Sequence, residues 1–171
     1  MPKNKTTLAM AAALALLTAA CSSIDCPLNN RTYATFRLAG DVAKLEHTLT
    51  VSTPRSALGP DEDTVLINRL ASADSIALPM SYTHDEDTLY FTLNATTNDA
   101  GEETAAITDT VWIKKQNVPH FESVDCSPAM FHNISEVKST HHAIDDIQIN
   151  NNKVTYNDAK AHFLIYFKSG S

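Results

Sequence analysis

The sequence is short of the residues that most often advertise chemistry: four glycines, three cysteines and one tryptophan among 171 residues. No glycine loop of the kind that cradles phosphate is present, and neither a Gly-x-Ser-x-Gly elbow nor a His-Glu-x-x-His pair occurs. The cysteines include no Cys-x-x-Cys pair, which argues against a zinc site and for another use of the thiols. No apolar run reaches the roughly 20 residues that a membrane-spanning helix needs. There is no repeat at fixed spacing and no low-complexity tract, so neither a solenoid nor a propeller is indicated. Basic residues are also scarce, and the net charge of −7 disfavours nucleic acid and anionic headgroups as partners.

What is present begins with an address. Met-Pro-Lys-Asn-Lys opens the chain, and Thr6 to Ala20 follows without a charge, with Leu8, Met10, Leu14, Leu16 and Leu17 set among alanines. A basic start, a short apolar stretch and small residues at its end are the marks of a signal peptide, expected over 1–20. Thr18, Ala19 and Ala20 before Cys21 resemble the bacterial lipobox, in which a peptidase needs small side chains near the scissile bond and the cysteine sulfur takes the lipid. Leu17 lies four residues before the cysteine, where the usual pattern has leucine three before. An ordinary cleaved signal peptide is the competing reading. Residues 21–30 are then the lipidated cysteine and a short tether. Ser22, in place of the aspartate that favours inner-membrane retention, points to the outer membrane. Ser22-Ser23-Ile24-Asp25 is not the acidic run that leads some lipoproteins to the cell surface, so the periplasmic face is expected.

Removing the leader with Lys3 and Lys5 takes the net charge from −7 to about −9. The remaining chain is within the size of one domain, expected over 31–171. Cys26 and Cys126 form an even pair in an oxidising compartment, and one disulfide between them is the simplest use. Closing so long a loop would contribute roughly 4 to 5 kcal/mol in the chain-entropy account.

Alternation of apolar and polar residues dominates the rest. Leu45, His47, Leu49 and Val51 alternate with Glu46, Thr48, Thr50 and Ser52, which predicts a half-buried strand. Similar runs occur at Thr32 to Leu38, Leu89 to Leu93, Ile107 to Ile113, Ile144 to Ile149 and His162 to Phe167, with shorter ones at Thr64 to Leu70, Ser75 to Leu78 and Phe131 to Val137. Turn clusters separate them at Pro54 to Asp63, Thr83 to Asp87, Asn94 to Glu103 and Asn150 to Asn152. A helix over Thr64 to Ser75 is the one rival, and its β-branched start disfavours it. The expected fold is all-β, an antiparallel sandwich of about nine strands, Ig-like or related, with a β-barrel as the alternative.

Candidate sites are few. His141 and His142 adjoin Asp145 and Asp146, but neighbouring residues of a strand point to opposite faces and cannot easily share one ion, so no metal and no cofactor is expected. Asp61-Glu62-Asp63 and Asp85-Glu86-Asp87 lack the spacing and glycine of a calcium loop and read as solvated turns. Trp112 with Tyr33, Tyr82, Tyr90 and Tyr156 offers the aromatics of a sugar-stacking face, although aromatics in a sandwich more often serve the core.

Cys21-Ser22-Ser23-Ile24-Asp25-Cys26-Pro27, Asp74-Ser75-Ile76-Ala77-Leu78-Pro79-Met80 and Pro119-His120-Phe121-Glu122-Ser123-Val124-Asp125-Cys126 together resemble an uncharacterised family of Bacteroidetes outer-membrane lipoproteins. Thr140-His141-His142-Ala143-Ile144-Asp145 and Val154-Thr155-Tyr156 extend the resemblance over nearly the whole mature chain. It implies an address and a lineage, with no activity or catalytic residue to carry over. Four Asp-hydroxyl-apolar triplets look like the O-glycan acceptor motif of exported Bacteroidetes proteins, with Thr64, Ser75, Thr88 and Thr110 as acceptors, although such triplets also start ordinary strands. The function expected is thus a non-enzymatic lipoprotein held to the membrane by its lipid, an accessory or interaction module for other envelope proteins or glycans. A carbohydrate- or peptide-binding lipoprotein is the second reading and an envelope hydrolase the third.

Overall fold

A computed structural model of the chain describes residues 31–55, 63–96, 104–156 and 158–170. Ten strands run through them: β1 (Tyr33–Ala39), β2 (Leu49–Pro54), β3 (Asp63–Leu70), β4 (Ser75–Pro79), β5 (Glu86–Leu93), β6 (Ile107–His120), β7 (Ala129–Ser139), β8 (Ile144–Ile149), β9 (Lys153–Val154) and β10 (Phe163–Phe167). Among the described residues there is no helix, and Thr64 to Ser75 is strand, turn, strand. The strands form two sheets that do not close into a barrel, one ordered β4-β1-β10-β8 and the other β3-β2-β5-β6-β7-β9.

Alternation explains the layering, because every second side chain of a strand faces the opposite sheet. Ala34, Phe36 and Leu38 of β1 and Phe163, Ile165 and Phe167 of β10 are buried on one side; Leu49 and Val51, Leu89 to Leu93 in alternation, and Val111 and Ile113 are buried on the other. Phe36 joins the layers. It stacks on Phe163 within its own sheet, centroids 4.6 Å apart, and tilts against Phe91 of the facing sheet at 5.6 Å. A fully buried aromatic of this kind contributes on the order of 3 to 5 kcal/mol, judged by truncation to alanine.

The nine predicted strands are present, with three departures. The strand expected from Leu45 begins at Leu49; Leu45 is still buried, but it lies in the preceding loop, where its amide bonds the Ala73 carbonyl at 2.9 Å. The second departure is a tenth strand, β9, which at two residues is too short to show any period. The third is that one pair is not antiparallel: β1 and β10 run parallel, Phe36 opposite Phe163. Local alternation specifies which face is buried and is silent on strand direction.

Strand β6 is twice the length its alternation predicts and sets the shape of one end of the sandwich. Its pairing with β5 stops at Glu86 opposite Lys114, while its pairing with β7 continues to His120 opposite Ala129. A β6–β7 ribbon therefore extends past β5. Pro119 is tolerated within it because one edge of β6 has no neighbouring strand there. The β4–β5 loop packs along that edge instead, with the Lys115 amide bonding the Asp85 carbonyl at 2.8 Å.

Candidate functional site

The inward register of β6 reads Asp109, Val111, Ile113, Lys115, so the apolar run is bracketed by two charged residues. Both are buried, Asp109 at 0 % and Lys115 at 4 % exposure. Each solves the problem of a buried charge differently.

Asp109 lies at the end of the sandwich where β7 turns into β8. One carboxylate oxygen accepts from the Thr140 hydroxyl at 2.7 Å and the His142 amide at 2.6 Å, and the other accepts from the amides of Ala143 at 2.7 Å and Ile144 at 2.8 Å. Burial alone would raise this carboxyl, yet the donors outweigh it and hold the group below its ordinary value. It clamps the turn.

Lys115 sits at the base of the protruding ribbon. Its ammonium lies 3.2 Å from an Asp87 oxygen and donates to the His84 carbonyl. Burial lifts the Asp87 carboxyl above its ordinary value, more than Lys115 and the Ser81 amide pull it down. Asn117, two residues on, donates to the carbonyls of Tyr82 at 3.1 Å and His84 at 3.0 Å, which turns its oxygen toward His132 Nδ1 at 2.8 Å. An accepting oxygen there requires the proton on Nδ1. His132 Nε2 is then a bare lone pair, buried and without a hydrogen-bond partner among the described residues. Burial first, and Lys115 second, lower the His132 pKa to about 4, so the ring is neutral at pH 7. Tyr82, 41 % exposed, stacks over it with centroids 6.1 Å apart.

Beyond this network the ribbon turns aromatic. His120 stacks on Phe131 at 4.2 Å, and Tyr156 meets Phe131 edge-on at 5.0 Å. His120 Nε2 lies 2.9 Å from a Glu122 oxygen. Phe121 and Val124, in the β6–β7 loop, are 65 % and 99 % exposed.

The expected site residues are scattered. Cys21 and Cys26 lie outside the described residues, and Cys126 is buried in the β6–β7 loop. Thr64 and Ser75 are exposed, whereas Thr88 and Thr110 are half-buried within β5 and β6. Asp61 and Glu62 lie outside the described residues, and Asp85-Glu86-Asp87 is no solvated turn: Glu86 and Asp87 open β5, and Asp87 is held against Lys115. His141 Nδ1 bonds the Asp145 carbonyl at 2.9 Å, while Asp146 is taken by the Ile147 amide and Gln148. Among the described residues no three metal-ligating side chains converge.

The aromatics divide among three places. Tyr33 is on β1, Tyr82 and Tyr156 flank the ribbon, and Tyr90 and Trp112 share the outer face of the larger sheet, opposite Thr110 and Thr88 respectively. The arrangement nearest to a catalytic triad is Ser81 with His84, Oγ to Nδ1 at 3.0 Å. The Ser81 hydroxyl also accepts the amides of Thr83 and His84, which makes it the fastener of a turn, and both Asp87 oxygens are turned elsewhere, to Lys115 and the Ser81 amide. Cavities beside Asp87, beside Asp158 and beside Asn94 measure about 190, 280 and 120 Å³. Each is below the roughly 300 Å³ at which small-molecule pockets begin.

Lys115 and His132 were missed by motif reasoning, but one signal was there: a lysine at the next inward position after Val111 and Ile113 breaks the binary pattern. A family model, described as a family of unknown function (DUF6452), matches residues 48–167, from just before β2 to the last residue of β10. No curated protein and no solved structure matches the chain significantly.

Proposed function

We propose, from the premise that the chain belongs to the family of unknown function DUF6452, that it is a non-enzymatic lipoprotein of the cell envelope. In this reading residues 1–20 are removed, Cys21 carries the lipid, and a Cys26–Cys126 disulfide fastens the tether to the β domain. The site of action is the periplasmic face of a Bacteroidetes outer membrane, and the partners are the bilayer and neighbouring envelope proteins or glycans. One observation carries the reading beyond the sequence. The Thr32 hydroxyl bonds the Met130 carbonyl at 2.9 Å, which seats the start of β1 against the start of β7. The chain thus enters the fold at the end that holds Cys126, which is buried and is not a free thiol. An anchor at Cys21, a bridge at Cys26 and a domain starting near Arg31 are mutually consistent in length. Mass spectrometry of the mature N-terminal peptide tests it: an acyl adduct on Cys21 is expected, and Cys21→Ala should move the protein to the soluble fraction. A peptide mass without lipid overturns it.

The second reading, a carbohydrate- or peptide-binding lipoprotein, draws on Tyr90 and Trp112. Their shared outer face, with Thr92 and Thr108 beside them, presents half-exposed stacking and hydroxyl groups. Titration of Trp112 fluorescence with envelope oligosaccharides, compared with Trp112→Ala in a direct binding assay, distinguishes it from the first.

A further inference from the structure

Of the six large apolar side chains exposed among the described residues, four gather at one end: Tyr33, Tyr82, Phe121 and Val124. That is the end at which the chain enters and from which the β6–β7 ribbon protrudes. The tip is a defined turn. The Cys126 amide bonds the Ser123 carbonyl at 3.2 Å and the Asp125 amide bonds the Ser123 hydroxyl at 3.2 Å, leaving Val124 at the apex, 99 % exposed.

We infer that this tip rests on the lipid bilayer, with Val124 and Phe121 entering the boundary between headgroups and acyl chains and the aromatic flank of the ribbon lying at the interface. The inference rests on the lipid-anchor reading of Cys21. Chain length is what selects a bilayer as the occupant. From Cys21 to Arg31 an extended chain spans at most about 36 Å, and from Cys21 to Cys26 at most about 18 Å. The end of the domain that bears the exposed apolar groups is therefore held within about one domain's width of the membrane. Rings with one polar edge, as Tyr82, Tyr156 and His120 have, suit the interfacial layer. A second, weak contact is also what converts a lipid anchor from a loose leash into a fixed orientation. Glu122 and Asp125 flank Val124, so the surface that fits is zwitterionic rather than anionic.

Trp112 supplies an internal ruler. It lies eight residues before His120 on β6, about 26 Å up the strand from the tip. The test uses the full lipidated protein in phosphatidylcholine vesicles, with and without bromine on the acyl chains, which quenches tryptophan on contact. Wild type should be unaffected, because Trp112 is out of reach. Phe121→Trp and Val124→Trp, both at exposed positions, should each add an emission that brominated lipid cuts by about twofold or more. The Cys21 adduct is measured on the same samples. Adduct present with neither added tryptophan quenched overturns the tip contact and leaves the lipoprotein reading intact. Quenching of Trp112 to the same extent as the tip overturns it too, since the domain then lies flat. Absence of the adduct overturns both readings together.

Discussion

The two ends of the buried inward run of strand β6 carry the same kind of burden, a charged side chain turned into the sandwich, and they handle it in opposite ways. At Asp109 four donors surround one carboxylate, and no large apolar side chain on the turn they hold is exposed. At Lys115 the countercharge Asp87 is itself raised by burial, and the adjoining His132 keeps a lone pair without a partner. Large apolar side chains surround that second end and face outward. One end is closed and serves stability. The other leaves one buried polar atom, His132 Nε2, without a partner and apolar groups uncovered, the pattern of an interaction surface.

The comparison breaks most severely at the closed end. Asp109→Ala strands the amides of His142, Ala143 and Ile144 at once, and at roughly 1 to 3 kcal/mol for each orphaned buried group the expected loss is about 5 kcal/mol. Urea unfolding measures it, and a loss below that of Lys115→Met would reverse the ranking of the two ends. Lys115→Met comes next. It leaves Asp87 without its countercharge at a cost of about 3 kcal/mol at pH 7, less than the usual upper range because a carboxyl already raised can protonate. The same variant should therefore be less impaired at pH 5 than at pH 7, and an equal or larger deficit at pH 5 would refute the assignment of Asp87 as the destabilised partner.

The smallest effect sharpens the contrast by pH alone. The folded pKa of His132, about 4, lies below the ordinary value of 6.5, so the unfolded chain takes up a proton first as the pH drops. Stability from this group is complete above pH 6.5 and falls between pH 6.5 and 4, by about 2 kcal/mol at pH 5. Asp109, held below the carboxylate range, loses its contribution only below about pH 4. Asp87 acts with the opposite sign, gaining as the pH falls through its raised value, so the histidine is isolated by subtracting the profile of His132→Gln from that of wild type. Parallel profiles for the two proteins between pH 7 and 4.5 would show that His132 is not held neutral.

Much of the fold was legible because burial in this chain follows strict alternation: Phe36, Phe91, Val111 and Ile165 each occupy the inward phase of a run visible in the sequence. Leu45 and His47 extend that phase without belonging to a strand, since a pattern of burial persists where a loop also packs on the core. The direction of β10 and the two-residue β9 were not legible, because neither leaves a periodic trace. The candidate site was less visible still. Asp87 reads as one acid among three, and only the fold brings Lys115, twenty-eight residues further along, to within 3.2 Å of it. Which ring nitrogen of His132 carries the proton is set by the orientation of Asn117, which no sequence pattern encodes.

The parallel pairing of β1 with β10 has a consequence for the order in which this molecule can be made. The smaller sheet has β10 at its centre, between β1 and β8. Until residues 163–167 have been made, β1 and β8 have no bridge between them, and Phe36 lacks the Phe163 ring it stacks on. Completion of the smaller sheet is thereby deferred. A keystone that follows every other strand of its sheet along the chain keeps that sheet open until all of them have been made.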